Sequence, residues 1–326
     1  MIVGQDRAVD QFASAWASRK LHHAWLLAGP KGVGKATFAH AAARRVLADA
    51  AGPLSELPGV GTPDHHPIVK LIEAGSHPDM RWLERLPKEK GEGLARDITV
   101  DQVRGLGEFM GMTAALSPWR VAVIDSMDEL NREASNALLK MLEEPPANTL
   151  FFLVSHAPGR LLPTIRSRCR RADFQTLDDD AMTSILEAHA PQLSTSERQR
   201  IISISFGSAG KALAFAELDL AKLEEAALAI LRQGDPTNAR RSELANSLGK
   251  KASADRYAAF LDLAPSLIAR EARQLGGSHR ERALDAYAKA RELAALAPRL
   301  SLDPSATVFQ IGGILAEVAG PASLKR

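Results

Sequence analysis

Residues 29–35 have the types and spacing of a loop that holds phosphate. The run reads G-P-K-G-V-G-K and matches the pattern G-x-x-x-x-G-K. Glycines let successive backbone N–H groups turn inward around phosphate oxygens, and Lys35 adds a positive charge. We therefore predict that Gly29, Gly32, Gly34 and Lys35 bind nucleotide. A tight turn that binds no ligand would have the same local sequence, and this alternative stays open.

The residue after Lys35 changes the chemistry expected of this loop. The pattern normally ends in Ser or Thr, whose hydroxyl ligates Mg²⁺, but residue 36 is Ala. Thr37 cannot take over, because one helical step turns a side chain by about 100°. We expect ATP and Mg²⁺ to bind weakly or not at all.

Asp125 follows an apolar run at residues 121–124, as the acid of a Walker B strand does. ATPases with this motif usually have Glu next, as the base that activates water, but here the residue is Ser126. A positioned general base contributes about 10²–10⁴ in rate. The sequence thus predicts a nucleotide site without its hydrolytic groups. The alternative for Asp125, a helix cap at a strand end, stays open.

Five arginines lie close together in the sequence, at positions 160, 166, 168, 170 and 171. A solvated basic loop, or a patch for a phosphate backbone, explains most of them. Arg168 differs because it stands in the triplet S-R-C after the run P-T-I-R. A permanently charged, planar guanidinium on a short packed helix is suited to reach a γ-phosphate across an interface. Arg168 is therefore the candidate catalytic residue, acting in trans, and such fingers are worth ~10³–10⁵ in turnover.

The elements that would position these residues alternate between short apolar runs and helical patterns, which is typical of a parallel sheet flanked by helices. A capping box at residues 99–102 predicts a helix that continues to Leu116, and an apolar stripe predicts another over 131–144. Surface insertions are expected at 51–67 and 87–96. The candidate strands are Ala24–Ala28, Met80–Leu83, Arg120–Asp125 and residues 150–155.

After about residue 174 the composition changes to Ala/Leu/Glu/Arg helical patterns. Helix caps are predicted within 178–180 and at 195–196, and the Gly/Pro/Asn cluster at 234–238 is a candidate linker. The predicted domains are 1–174, a nucleotide-binding α/β domain; 175–234, a small helical domain; and 235–326, a second helical domain.

Composition excludes several classes of protein. The net charge is only +2, from 41 basic and 39 acidic residues, so the overall charge of the protein does not attract nucleic acid. Cys169 is the only cysteine, which excludes an internal disulfide and a multi-cysteine zinc site. The sequence shows neither a signal peptide nor an apolar run of the roughly 18 residues that a membrane span needs. We therefore expect a cytoplasmic protein that contacts no membrane.

The ordered motifs resemble those of the AAA+ clamp-loader family. With the phosphate loop and residues 121–125, they are G-Q at 4–5, H-A at 23–24, N-A-L-L-K-M-L-E-E-P-P at 136–146 and S-R-C at 167–169. The resemblance covers residues 1 to about 215, and beyond that it rests on helical composition and chain length. It implies a RecA-like AAA+ α/β domain with a parallel sheet, a small helical lid and an all-α C-terminal collar that closes a five-subunit ring.

The resemblance also implies partners and residue roles. The ring would contain gamma/tau and delta subunits and would load the sliding β clamp onto primer-template DNA in replication. Arg168 would be offered to a neighbouring subunit's ATP, and Ser155 and Lys211 would stand at the sensor-1 and sensor-2 positions. For Lys211, a helix start after the turn at Gly207 is an equally open interpretation.

Many members of that family carry a four-cysteine zinc module just after the phosphate-loop helix. The matching stretch here, about 47–77, has no cysteine. His65, His66 and His77 remain, and histidines on a Pro/Gly-rich loop are interpreted as surface residues. We predict no zinc, which leaves the stability of the 51–67 loop without an explanation.

Three functions are then weighed. The first is a largely non-hydrolysing scaffold subunit that lends Arg168 to a neighbour. The second is an active gamma/tau-type ATPase motor, which should have Ser or Thr at 36 and Glu at 126. The third is a nucleic-acid-binding protein that uses the 160–171 patch, disfavoured by the near-neutral charge and few aromatic residues. The sequence favours the first, with little or no ATPase activity of its own.

Overall fold

The computed structural model describes residues 2–88, 94–218, 221–250 and 253–319. The chain folds as two compact units, Met1–Leu177 and Asp178–Arg326. The three-domain division given above, with boundaries after 174 and 234, stays a prediction. Of the insertion predicted at 87–96, residues 89–93 lie outside the described part of the chain.

A five-stranded parallel sheet forms the centre of the first unit, in the order β2-β3-β4-β1-β5. The four predicted strands are confirmed, and β5 is one that the sequence did not indicate, because only Ala172 of its residues is buried. The strands are β1 Ala24–Ala28, β2 Met80–Leu83, β3 Arg120–Asp125, β4 Thr149–Ser155 and β5 Arg170–Asp173.

Helices cover both faces of this sheet, which is why its central strands are apolar throughout. Successive strand residues point to opposite faces, so Trp25 and Leu27 join one apolar cluster and Ala24 and Leu26 the other. The helices are α1 Asp6–Ala17, α2 Lys35–Ala51, α3 Pro67–Glu73, α4 Val100–Gly111, α5 Arg132–Glu143 and α6 Pro163–Arg166. The expected RecA-like α/β domain is confirmed.

Helix α4 ends at Gly111, and not at Leu116 as predicted. Beyond Gly111, the amides of Ala115, Leu116 and Ser117 donate to the buried carboxylate of Asp79 over 2.6, 2.7 and 2.9 Å. Burial acts to raise the pKa of Asp79, but these three hydrogen bonds hold it below its ordinary value. The chain leaves the helix because these amides are needed by a side chain far away in the sequence.

The loop between α2 and α3 is held by the guanidinium of Arg45 in α2. Its Nε donates to Asp49 Oδ2 over 2.6 Å. Its Nη atoms donate to carbonyl oxygens of the loop at Ser55, Leu57 and Gly61, over 2.7, 2.7 and 2.8 Å. Hydrogen bonds to one guanidinium thus order a loop that contains no cysteine.

The carboxylate of Asp49 completes the same network. It accepts from Trp16 Nε1 and from the Ser55 amide, each over 2.7 Å, and its side chain is only 1% exposed. A buried carboxylate with this many partners is well satisfied. We call Arg45, Asp49 and Trp16 the loop anchor.

The histidines of this region differ from the surface interpretation in one case. His77 is buried, its Nδ1 accepts from the Asp79 amide over 3.1 Å, and burial lowers its pKa. His65 is exposed, and His66 caps α3 through the Ile68 amide. Among the described residues, no group of three or more His, Cys, Asp and Glu could hold a metal ion. The prediction of no zinc stays a prediction.

The second unit is helical in its described residues and has its own apolar core. Asp178 caps α7 as predicted. Helix α8 is capped by Ser194, and not by residues 195–196, because Ser194 and Glu197 form a capping box in which each side chain accepts from the backbone amide of the other residue. No described helix is both long and apolar enough to cross a membrane. The helices are α7 Asp179–His189, α8 Thr195–Ser205, α9 Ala209–Glu217, α10 Ala221–Gln233, α11 Ala239–Leu248, α12 Ala254–Ala272, α13 Gly277–Leu300 and α14 Pro304–Ala319.

Candidate functional site

The phosphate loop connects β1 directly to α2, in the strand–loop–helix context that such a loop needs. Gly29, Gly32 and Gly34 have φ angles of 153°, 79° and 98°. A Cβ at Gly29 would lie 2.2 Å from the carbonyl oxygen of Phe174, so a side chain does not fit there. The loop thus adopts positive φ angles at these three glycines, a conformation that side chains disfavour.

Lys35 is engaged by its own loop. The side chain is buried, and Nζ donates to the carbonyl oxygen of Gly29 over 2.7 Å and to that of Pro30. Burial lowers the pKa of Lys35 to about 8, although Asp128 and Asp125 act in the opposite direction. A phosphate group would therefore have to compete with two carbonyl oxygens for this ammonium.

Gln5 ties the phosphate loop to the chain that leaves β5. Its Nε2 donates to the carbonyl oxygens of Val33 and Gln175 over 3.1 and 2.8 Å, and its Oε1 accepts from the Gln175 amide over 3.2 Å. The residue is buried. The sequence indicates Gln5 only as part of a family motif, because the residues that it contacts lie far along the chain.

Asp125 ends β3 beside the phosphate loop, half-buried. Burial raises the pKa of Asp125, the acids Glu129 and Glu84 raise it further, and Lys35 opposes them. The next residue, Ser126, is buried, and its hydroxyl makes no hydrogen bond within the described chain. No carboxylate stands at position 126 to activate water.

Asp128 binds the end of the neighbouring strand. Its carboxylate accepts from Ser155 Oγ over 3.1 Å and from the amides of His156 and Ala157 over 2.5 and 3.1 Å. Ser155, the predicted sensor-1 residue, is fully buried at the end of β4. Three donors occupy Asp128, so this carboxylate is engaged in holding the end of β4.

Arg168 lies at the surface just beyond α6. Its Nη1 donates to the carbonyl oxygen of Thr164 over 2.9 Å, and its Nη2 pairs with Glu143 Oε1 over 2.7 Å. The side chain is 34% exposed and that of Glu143 is 46% exposed. The guanidinium is thus held in place without being buried in the core.

The other members of the arginine cluster have local roles. Arg170 lies over the Trp25 ring at 4.9 Å, and Arg171 pairs with Asp173 over 2.6 Å. Arg160 and Arg166 are exposed. Two of the five arginines are therefore held by contacts of their own, and Arg168 is distinguished by its ion pair with Glu143 of α5.

Two remaining residues complete the sequence-based set. Burial raises the pKa of the Cys169 thiol to about 12, so this cysteine is not a nucleophile at neutral pH. Lys211 lies in α9, which starts after the turn at Gly207, and its Nζ pairs with Asp262 over 3.5 Å. A sensor-2 role for Lys211 stays a prediction.

Comparison with known proteins places this site in a family. A family model described as DNA polymerase III, delta subunit, matches residues 4–178. The chain is 42% identical over 150 residues to DNA polymerase III subunit delta' of Pseudomonas aeruginosa, which covers 45% of this chain and 41% of the relative. It is 35% identical over 161 residues to subunit delta' of Escherichia coli, covering 49% and 45%.

A tau subunit and a solved gamma-related structure are similar at lower identity. Subunit tau of Bacillus subtilis is 29% identical over 237 residues, covering 70% of this chain and 39% of the relative. A solved DNA polymerase III gamma subunit-related protein of Thermotoga maritima aligns over 95% of this chain and all of its own, at 16% identity and a TM-score of 0.45. The chain spans less than half the length of these curated relatives. Since the family match covers more than half of its 326 residues, the chain belongs to the DNA polymerase III delta subunit family.

Proposed function

We propose that this chain is the delta-prime subunit of a DNA polymerase III clamp loader, a largely non-hydrolysing scaffold that supplies Arg168 to a neighbouring ATPase subunit. Its proposed partners are gamma/tau and delta subunits in a five-subunit ring, with the sliding β clamp and primer-template DNA reached through that complex. The two delta' relatives at 42% and 35% identity support this assignment.

One observation carries the proposal: the guanidinium of Arg168 is positioned at the surface with donors to spare. An arginine has five N–H donors, and the contacts with Thr164 and Glu143 use only one from each Nη. A planar cation of this kind stabilises the charge that develops on a transferred phosphoryl group. We propose that it does so for a nucleotide supplied by another chain that docks against this surface.

The subunit's own loop supports the non-hydrolysing half of the proposal. Residue 36 offers no hydroxyl, residue 126 offers no carboxylate, and Asp128 is occupied by the end of β4. These residues do not fit a productive Mg²⁺ site. We propose that ATP and Mg²⁺ bind here weakly or not at all, and that zinc is not required.

The second candidate is an active gamma/tau-type motor, which the similarity to subunit tau brings into consideration. Steady-state hydrolysis of ATP by the purified chain with Mg²⁺ separates the two. We expect only background turnover, because both hydrolytic positions are changed. Rapid turnover by the isolated chain would establish the motor and end the scaffold proposal.

The trans-acting role is tested by Arg168→Ala in a reconstituted complex in which only the neighbouring motor subunit keeps an intact phosphate loop. Loss of an arginine finger should lower DNA-stimulated ATP hydrolysis at that site by ~10³-fold or more. Arg166→Ala is the matched control, since Arg166 is an exposed arginine at the end of the short helix that precedes Arg168. Unchanged hydrolysis with Arg168→Ala would remove the finger assignment.

A further inference from the structure

We propose that Glu143 is a positioning residue for Arg168, holding the guanidinium in the orientation in which a neighbour's phosphate meets it. This inference rests on the proposed function and adds to it a residue on a different helix. The carboxylate of Glu143 lies in the last turn of α5, and the arginine follows α6. The two groups meet over 2.7 Å.

The last turn of α5 is fixed in place from more than one side. Leu142 is buried in the apolar cluster, and its carbonyl oxygen accepts a hydrogen bond from His23 Nε2 over 3.1 Å. Pro145 follows and prevents the helix from continuing. Glu143 therefore presents its carboxylate from a backbone that is tied to the start of β1.

The segment that carries Arg168 is anchored as well. Ile165 of α6 is buried, and its carbonyl oxygen accepts from the Arg168 amide and from Cys169 Sγ, each over 3.1 Å. The arginine side chain thus extends from a rigid base. What remains to be fixed is the long flexible side chain itself.

Two acceptors fix that side chain, and they come from different elements. The carbonyl oxygen of Thr164 takes one Nη and the carboxylate of Glu143 takes the other. An ion pair this exposed contributes little to folding stability, because water screens it. Its effect is on orientation, since an arginine that is already oriented loses less conformational freedom when it engages a phosphate.

Glu144 shows what distinguishes Glu143. It is the next residue and is also exposed, but it is the C-cap of α5, where the backbone has left the helical conformation. The ion pair of Arg168 is with Glu143. Glu144→Ala is therefore a matched control for Glu143→Ala, with the same loss of charge beside the same helix end.

The experiment measures kcat and KM for ATP in the reconstituted complex in which only the neighbouring motor subunit keeps an intact phosphate loop, which we call the single-site complex. We expect Glu143→Ala to lower kcat about tenfold with KM unchanged, because the orientation acts on the transition state. Glu143→Gln keeps an oxygen acceptor and should restore most of the rate. Glu144→Ala should match the unmodified complex.

A double substitution separates positioning from a general structural effect. If Glu143 acts through Arg168, then Glu143→Ala lowers the rate no further in an Arg168→Ala background. An equal loss in both backgrounds, a faster rate with Glu143→Ala, or no change at all would overturn the inference. In each of these cases, a large loss of ATP hydrolysis with Arg168→Ala alone would still support the proposed function. No loss of hydrolysis with Arg168→Ala would contradict both the proposed function and the role of Glu143.

Discussion

Two cations of the first unit, Lys35 and Arg168, are handled in opposite ways. The phosphate-loop lysine is buried and donates to two carbonyl oxygens of its own loop. The S-R-C arginine is one-third exposed, and its two contacts leave further donors uncommitted. One charge is used to hold the chain itself, and the other keeps donors that its contacts within the chain do not use.

A phosphate-loop motif can therefore stand in a chain without the neighbouring groups that usually accompany it in ATPases. The loop keeps its glycines and its lysine, yet its cation is satisfied internally and the groups beside it are changed. The triplet at 167–169 carries no complete motif for catalysis, yet it presents the one guanidinium for which we propose a catalytic task. In this chain, the charged groups that keep uncommitted donors indicate more about function than the motifs that are present.

The largest expected effect contrasts these two residues in one assay. In the single-site complex, Arg168→Ala should lower DNA-stimulated ATP hydrolysis by ~10³-fold. Lys35→Met should leave it unchanged, because that ammonium is bound to its own loop. A large loss with Lys35→Met, in a chain that still folds and assembles, would mean that nucleotide in this subunit matters and would break the comparison.

A second prediction compares two arginines by their effect on stability. Arg45→Met should lower the free energy of unfolding by about 3–5 kcal/mol, because Asp49 would keep a buried, uncompensated charge. Arg168→Met should cost at most about 1 kcal/mol, since its ion pair is exposed. Urea denaturation followed by tryptophan fluorescence reports on this unit, because all four tryptophans lie in it. Equal losses would contradict the distinction between internal and available charge.

The smallest of the three effects concerns Asp79, another charge used internally. Asp79→Asn should lower the free energy of unfolding by about 1.5–3 kcal/mol at neutral pH, because a carboxylate that accepts three hydrogen bonds from backbone amides is lost. The folded state holds the pKa of Asp79 below its unfolded value, so this stability is present above the unfolded value and disappears as the pH falls through the folded value.

The pH dependence supplies the control for that prediction. The difference in unfolding free energy between the unmodified chain and Asp79→Asn, measured by urea denaturation, should shrink steadily on acidification below about pH 4. Glu144→Gln, at an exposed position, should show no such trend. A difference that stays constant to low pH would mean that Asp79 contributes by shape and not by charge.

Much of the fold could be predicted because its signals are local. Apolar runs predicted β1 to β4, and the capping box at Thr99 and Gln102 predicted the start of α4. The phosphate loop was predictable for the same reason, since its glycines determine a backbone path over a few residues.

What could not be predicted depends on partners distant in the sequence. Asp79 draws three amides from beyond α4 and so ends that helix early, and nothing near Leu116 announces this. Strand β5 is charged at three of its four positions and is recognisable only by its pairing with β1. The contact of Arg168 with Glu143 joins two helices, so the sequence indicated the arginine without the residue that orients it.

The loop anchor has a consequence for how this protein is made. A guanidinium stays protonated at any physiological pH, cannot be oxidised as a thiolate can, and comes with the polypeptide itself. Since Arg45 gathers the carbonyl oxygens of its loop by these permanent donors, that segment is ordered as soon as the surrounding chain folds. We expect its maturation to need neither a supply of trace elements nor a reducing environment, and chelating agents to leave its conformation unchanged.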